Sequence, residues 1–142
     1  MIYSIKGKVV ERNESSVAID LGNIAYEVFV PRPAIFIVGQ ESLVYTYEVL
    51  TQDDHYLVGF DSKKEKDAFL LLVSVKGIGP KTALSALSKT TPDELFSAVD
   101  EALVYSRSGN VIVESFITGK EFSVETYTQN DETTIVTITE KL

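Results

Sequence analysis

The sequence predicts an α+β fold, mainly β, made of a small five-stranded barrel, a helical segment and a terminal β-meander. Three observations carry this expectation. Residues 1 to about 60 contain five short runs in which apolar and polar residues alternate, residues 63 to about 100 switch to helical spacing with clear start signals, and alternation returns from about Val104. The expected units are therefore 1–62, 63–103 and 104–142.

The five strands are read at Ile2 to Val10, Val17 to Leu21, Ile24 to Val30, Leu43 to Leu50 and Tyr56 to Phe60. Gly22-Asn23 suits a two-residue hairpin turn with glycine first. Pro31 and Pro33 interrupt the pattern after the third strand and mark a longer connection. Five short strands in about 60 residues close most simply as an OB-fold.

The helical segment opens with Lys63 to Val75, where Phe69, Leu72 and Val73 share an apolar stripe. A second helix is read from Pro80 to Leu87. The third starts at Thr91-Pro92-Asp93-Glu94: threonine as N-cap, proline next and glutamate at the third helical position form a capping box. Its Leu95, Phe96 and Val99 are expected to face the hairpin below.

Val75-Lys76-Gly77-Ile78-Gly79-Pro80-Lys81 joins the first two helices and has the pattern of a helix-hairpin-helix, a backbone reader of DNA phosphates. Gly77 and Gly79 remove side chains where the chain turns and where main-chain N–H groups must approach an anion. Pro80 fits the first helical position, where its missing N–H costs nothing. The amides at the helix start, with the Lys81 charge beside them and Thr82 in the same turn, form an anion site. Contacts to phosphate oxygens position a protein without reading sequence. Ile78, apolar between the glycines, is expected to plug into the flanking helices. The competing reading is a plain Gly-Pro turn between two core helices.

After Val104 the strands Val111 to Val113 and Phe122 to Glu125 flank Thr118-Gly119-Lys120, and Thr134 to Ile138 follows the turn Gln129-Asn130-Asp131. A meander of about 40 residues with few apolar side chains is marginal alone, so it is expected to pack on the rest or on another chain.

Bulk properties narrow the function. The chain has 142 residues, no cysteine and a formal net charge of −8. Disulfides and thiolate metal sites are therefore excluded. No apolar run reaches the roughly 20 residues that span a bilayer, and no signal-peptide pattern opens the chain. A cytoplasmic protein without membrane contact is expected. Ten basic and fourteen acidic residues in 1–100, and three and seven in 101–142, give −4 in each part. A protein of this charge cannot coat DNA by electrostatics, because non-specific affinity comes from neutralised phosphates. Any DNA contact must be local. The lone His55 has no second histidine or cysteine to complete a metal site and reads as a surface or packing residue. No catalytic residue, metal site or cofactor is expected.

Met1-Ile2-Tyr3-Ser4-Ile5-Lys6-Gly7, Gly22 to Val28, Leu57-Val58-Gly59-Phe60 and Val75 to Ala83, in this order, make the first 100 residues resemble the RuvA family of Holliday-junction branch-migration subunits. The resemblance implies a homotetramer, a flat disc that holds a four-way DNA junction open on one face. It implies that the hairpin residues Lys76, Gly77, Ile78, Gly79, Lys81 and Thr82 grip the minor-groove backbone. It also implies an acidic pin at the centre, on the turn Gln52-Asp53-Asp54. The family usually has Glu-Asp where this chain has Gln52-Asp53, and Asp54 would supply the second carboxylate. Carboxylates there would repel phosphates and steer strands rather than bind them; a solvated turn that favours Asp is the alternative.

Beyond Asp100 the residues depart from that pattern. Neither the family's second helix-hairpin-helix nor its small helical domain for docking a motor ATPase is read in the sequence, so ATPase docking is not expected. Val111 to Val124 instead resembles the strand-hinge-strand of ATP-grasp ligases, and Thr137 to Lys141 their next strand. That resemblance implies a nucleotide hinge at Glu114 to Ile117, with Glu121 reaching the ribose. The phosphate-binding lysine, the glycine-rich loop and the magnesium-binding residues of such enzymes are missing, so catalysis is not expected. A hairpin serving only as a packing surface is the alternative. The expected function is non-catalytic recognition of branched DNA in recombination and repair. The alternative is a recombined or designed chimera, joined at Asp100 to Ala102, that folds without retained DNA or nucleotide activity.

Overall fold

The computed structural model describes residues 1–109, 122–129 and 132–140. Strands β1 (Ser4–Arg12), β2 (Ser16–Asp20), β3 (Ala25–Phe29), β4 (Glu41–Leu50) and β5 (His55–Phe60) precede helices α1 (Lys63–Val73), α2 (Pro80–Leu87) and α3 (Pro92–Tyr105). Strands β6 (Phe122–Gln129) and β7 (Glu132–Glu140) then pair antiparallel as a separate two-stranded sheet.

The first five strands close a barrel in the order β1-β2-β3-β5-β4, with β1 paired to both β2 and β4. This is the OB-type closure that the strand pattern predicts. Closure between β3 and β5 is the only parallel pairing and is short, Val28 opposite Leu57 and Phe29 opposite Val58. Ile5, Gly7 and Val9 alternate inward along β1, and with Val17, Ile19, Val28, Val44 and Leu57 they line the barrel core. Glycine at position 59 is dictated by this packing. A Cβ there would lie 2.4 Å from Val28 Cγ1 and 2.5 Å from Val44 Cγ1.

The β2–β3 turn forms at Gly22, whose φ of +116° is glycine territory; its amide donates to Asp20 Oδ1 at 2.8 Å. The first strand begins at Ser4 rather than Ile2. The Ile2 carbonyl accepts the hydroxyl of buried Thr46 at 2.5 Å, and the Tyr3 carbonyl accepts the Thr46 amide at 2.8 Å.

A second apolar core joins the barrel to the helices. Phe69 of α1 is fully buried, with ring centroids 5.0 Å from Phe60 and 5.3 Å from Tyr47. Val49 and Val58 of the barrel, Ala68 and Leu72 of α1, and Ala83 and Leu87 of α2 complete it. Truncating a buried Phe of this kind to Ala costs about 3–5 kcal/mol. Leu95 and Phe96 of α3 pack against the same cluster as partly buried residues. Val99 is half-buried and is not part of that contact.

Helix starts follow the sequence signals. The Ser62 hydroxyl accepts the Glu65 amide at 3.2 Å and caps α1. At α3 the capping box is complete: Glu94 N donates to Thr91 Oγ1 at 3.2 Å and Thr91 N to Glu94 Oε2 at 3.3 Å. Helix α3 continues to Tyr105, past the expected boundary at 103. Among the described residues no helix is long and apolar enough to cross a membrane. The expected strand Val111 to Val113 lies outside the described residues. Of the expected turn Gln129-Asn130-Asp131 only Gln129, the last residue of β6, lies within the described residues.

One polar contact reinforces the joint. Arg32, on the connection after β3, pairs with the carboxylate of Glu65 in the first turn of α1 and donates to the Thr90 carbonyl at 3.4 Å. Burial and the hydrogen-bonded Asp61 carboxyl outweigh the Arg32 charge, so the Glu65 pKa is raised to about 7. A carboxyl whose pKa is higher folded than unfolded binds its proton more tightly in the folded state. Its contribution to stability is full at low pH and is lost as pH rises through 7. Chemical denaturation between pH 5 and pH 8 should therefore show stability falling with pH, and Glu65→Gln should flatten that slope. An unchanged slope would assign the dependence to other groups.

Candidate nucleic-acid interface

The α1–α2 connection makes one tight reversal. Val75 N donates to the Leu72 carbonyl at 3.1 Å, and Ile78 N closes a β-turn onto the Val75 carbonyl at 3.1 Å. Gly77 holds φ +90° within this turn, a position that favours glycine. Helix α1 therefore ends at Val73, two residues short of its predicted end. Ile78 is half-buried against the shared core, which ties the turn to both helices.

Gly79 has a different reason to be glycine. Its φ of −88° and ψ of 172° suit any residue, and an added Cβ would meet nothing within 4 Å. Gly79 is exposed, so that open space faces outward. Gly79 is the N-cap of α2, Pro80 occupies the first turn, and no side chain caps the helix. The first-turn amides of Lys81 and Thr82 are thus left for an external acceptor.

Lys76 and Lys81 are exposed and have no carboxylate partner among the described residues. The lysines of α1 are engaged instead: Lys63 with Asp67 at 3.1 Å, Lys64 with Asp93, and Lys66 over the Tyr3 ring at 4.0 Å. Burial lowers the Lys66 pKa. The hairpin is where uncommitted positive charge meets uncapped amides.

The β4–β5 connection is a tight turn in which Thr51 N donates to the Asp54 carbonyl at 2.8 Å and Asp54 N to Thr51 Oγ1 at 3.0 Å. Asp53 and Asp54 are exposed, with no ion-pair partner among the described residues. His55 follows, mostly exposed, and its ring bonds Glu48 at 2.7 Å, lowering the Glu48 pKa. It is a surface residue engaged across the β4–β5 ladder. Asp54, His55 and Tyr56 line one wall of a depression, and Lys81 and Leu84 of α2 line the other. The acidic turn and the hairpin therefore border a common groove.

Phe29, Tyr56 and Leu84, which also line this groove, carry no motif that marks them in the sequence. Their juxtaposition comes from the parallel β3–β5 pairing and the seat of α2. Glu114, Ile117 and Glu121, the expected nucleotide hinge, lie outside the described residues. Among the described residues no group of three or more His, Asp or Glu is placed to hold a metal ion.

Known proteins resemble both the barrel and the helical segment. Residues 1–59 match the family described as RuvA N terminal domain. Residues 69–106 match the SAM-like helix-hairpin-helix tandem family; within them the structure places the hairpin between α1 and α2, followed by α3. Proteins named Holliday junction branch migration complex subunit RuvA are similar to about 70% of this chain. That of Parabacteroides distasonis is 39% identical over 101 residues, covering 70% of this chain and 52% of its own length. That of Colwellia psychrerythraea is 36% identical over 102 residues, 70% of this chain and 48% of its own. Chromobacterium violaceum has one at 39% over 102 residues, 70% and 52%. The chain spans about half the length of the curated relatives it matches.

The two glycines of the α1–α2 hairpin should separate in a stability test. Gly77→Ala strains a positive-φ position and should cost about 1 kcal/mol. Gly79→Ala should stay within about 0.5 kcal/mol of the parent. Urea denaturation of both variants checks this, and equal losses would contradict the assignment.

Proposed function

We propose that this chain is a non-catalytic DNA-binding protein of recombination and repair that recognises four-way junction DNA. The observation that carries the reading is the shared groove, lined by Lys81 at the uncapped start of α2 and by Asp54 of the acidic turn. The names of the relatives agree with it.

In this reading Gly77, Gly79, Lys81 and Thr82 take phosphate oxygens at the start of α2, with Lys76 adding charge and Ile78 holding the turn rigid. Asp53 and Asp54 act by repulsion, keeping phosphates off the centre and so favouring a branched centre over a continuous duplex. The protein's part is positioning. ATP-driven movement would belong to a separate motor protein. Several copies on one junction, as in the tetramer that the resemblance implies, would raise a modest single-hairpin affinity through avidity.

Lys81→Glu and Gly79→Ala test the grip. Both should weaken junction binding at least about tenfold, the scale of one hydrogen bond to a charged group, while the unfolding midpoint stays close to the parent's. Gel shifts at two salt concentrations read the effect, which should be larger at low salt. Undiminished binding by both variants would reject the hairpin as the contact.

A further inference from the structure

The groove between the barrel and α2 contains more than the phosphate grip requires. Two depressions meet along Phe29, Lys81 and Leu84. One, of about 270 Å³, is closed by Asp54, His55 and Tyr56. The other, of about 440 Å³, runs on past Glu14 and Ser85. Phe29 ends β3 and Tyr56 lies near the start of β5, so the short parallel seam of the barrel brings their rings edge to face at 5.6 Å and 78°. Both residues are only half-buried.

The chemistry of these walls is selective. Lys81 is the one Lys or Arg lining either depression, and acidic residues stand toward the two ends, Asp54 and Glu14. A phosphate entering the groove is therefore drawn to Lys81 and repelled from the ends. Beside that lysine lie two aromatic rings and Leu84, a surface for a planar apolar face. A paired base inside a duplex has both faces covered by its neighbours. An unpaired nucleotide offers a free π-face and a phosphate together.

We propose that this groove receives one unpaired nucleotide of DNA, its base against Phe29 and Tyr56 and its phosphate at Lys81. The inference rests on the proposed junction reading for where such a nucleotide arises, since strand exchange at a junction centre is where pairing is interrupted. The same lysine then serves the duplex grip and the groove, so that grip on an arm and capture of an unpaired base occur side by side.

The test has two arms on the full chain. In the first, a single-stranded thymidine tetranucleotide is titrated in while the ring resonances of Phe29 and Tyr56 are followed by NMR. Saturable shifts of both rings are expected, and rings that do not move would overturn the proposal. In the second, binding is compared for a fully paired four-way junction and one with a single unpaired nucleotide at its centre. Several-fold tighter binding of the latter is expected, and Phe29→Leu and Tyr56→Leu, which keep an apolar side chain but lose the ring face, should erase that preference. Equal binding of both junctions by the parent would also overturn it. Moving rings without any junction binding would sustain the groove and reject the junction function, so the two failures are distinguishable.

Discussion

The burial of Phe69 between the barrel and the helices is the contact on which the functional geometry depends. With its ring against Phe60 and Tyr47, α1 is held on the wall made by β4 and β5, and Ala83 and Leu87 bring α2 onto the same cluster. The hairpin connects α1 and α2, and the acidic turn connects β4 and β5. One apolar cluster thus sets the distance between the cation and the carboxylates. The Arg32–Glu65 pair adds direction to that packing by tying the connection after β3 to the first turn of α1. Because Glu65 is buried, the tie is sensitive to its protonation, whereas the aromatic contact is not.

Electrostatics then divide the surface by commitment rather than by total charge. A chain of net charge −8 has no field that would draw in DNA at large. Locally, Lys63 and Lys64 are occupied by Asp67 and Asp93, while Lys76 and Lys81 stand free beside uncapped amides. The hairpin sets Lys76 and Lys81 beside the uncapped start of α2, and the β4–β5 turn carries Asp53 and Asp54. In the proposed function, placing the two along one groove lets an acidic protein distinguish shapes of DNA.

Much of this was legible in the sequence because the signals were local. Alternation along β1, glycine in the β2–β3 turn, the Thr91–Glu94 capping box and the Gly77 turn each depend on residues within a few positions of one another. The Arg32–Glu65 pair was not legible, since its partners are 33 residues apart and only the fold brings them together. The walls of the groove were hidden for the same reason: Phe29 and Tyr56 read as ordinary strand residues until the parallel β3–β5 pairing makes them neighbours. The sequence assigned both glycines to the turn, but only Gly77 has a backbone conformation that favours glycine, whereas the angles of Gly79 suit any residue. Ile2 fits the alternating pattern, but the strand starts at Ser4 and the Ile2 carbonyl accepts the Thr46 hydroxyl, a partner 44 residues away that local patterning does not reveal.

The central claim is that the hairpin supplies the grip and the acidic turn supplies the selectivity. The most direct measurement is the ratio of four-way junction affinity to linear duplex affinity for the parent and for Asp53→Asn/Asp54→Asn, at one fixed salt concentration. The account predicts that removing both carboxylates strengthens duplex binding more than junction binding, so that the ratio falls toward one. A ratio unchanged by the double substitution would contradict it.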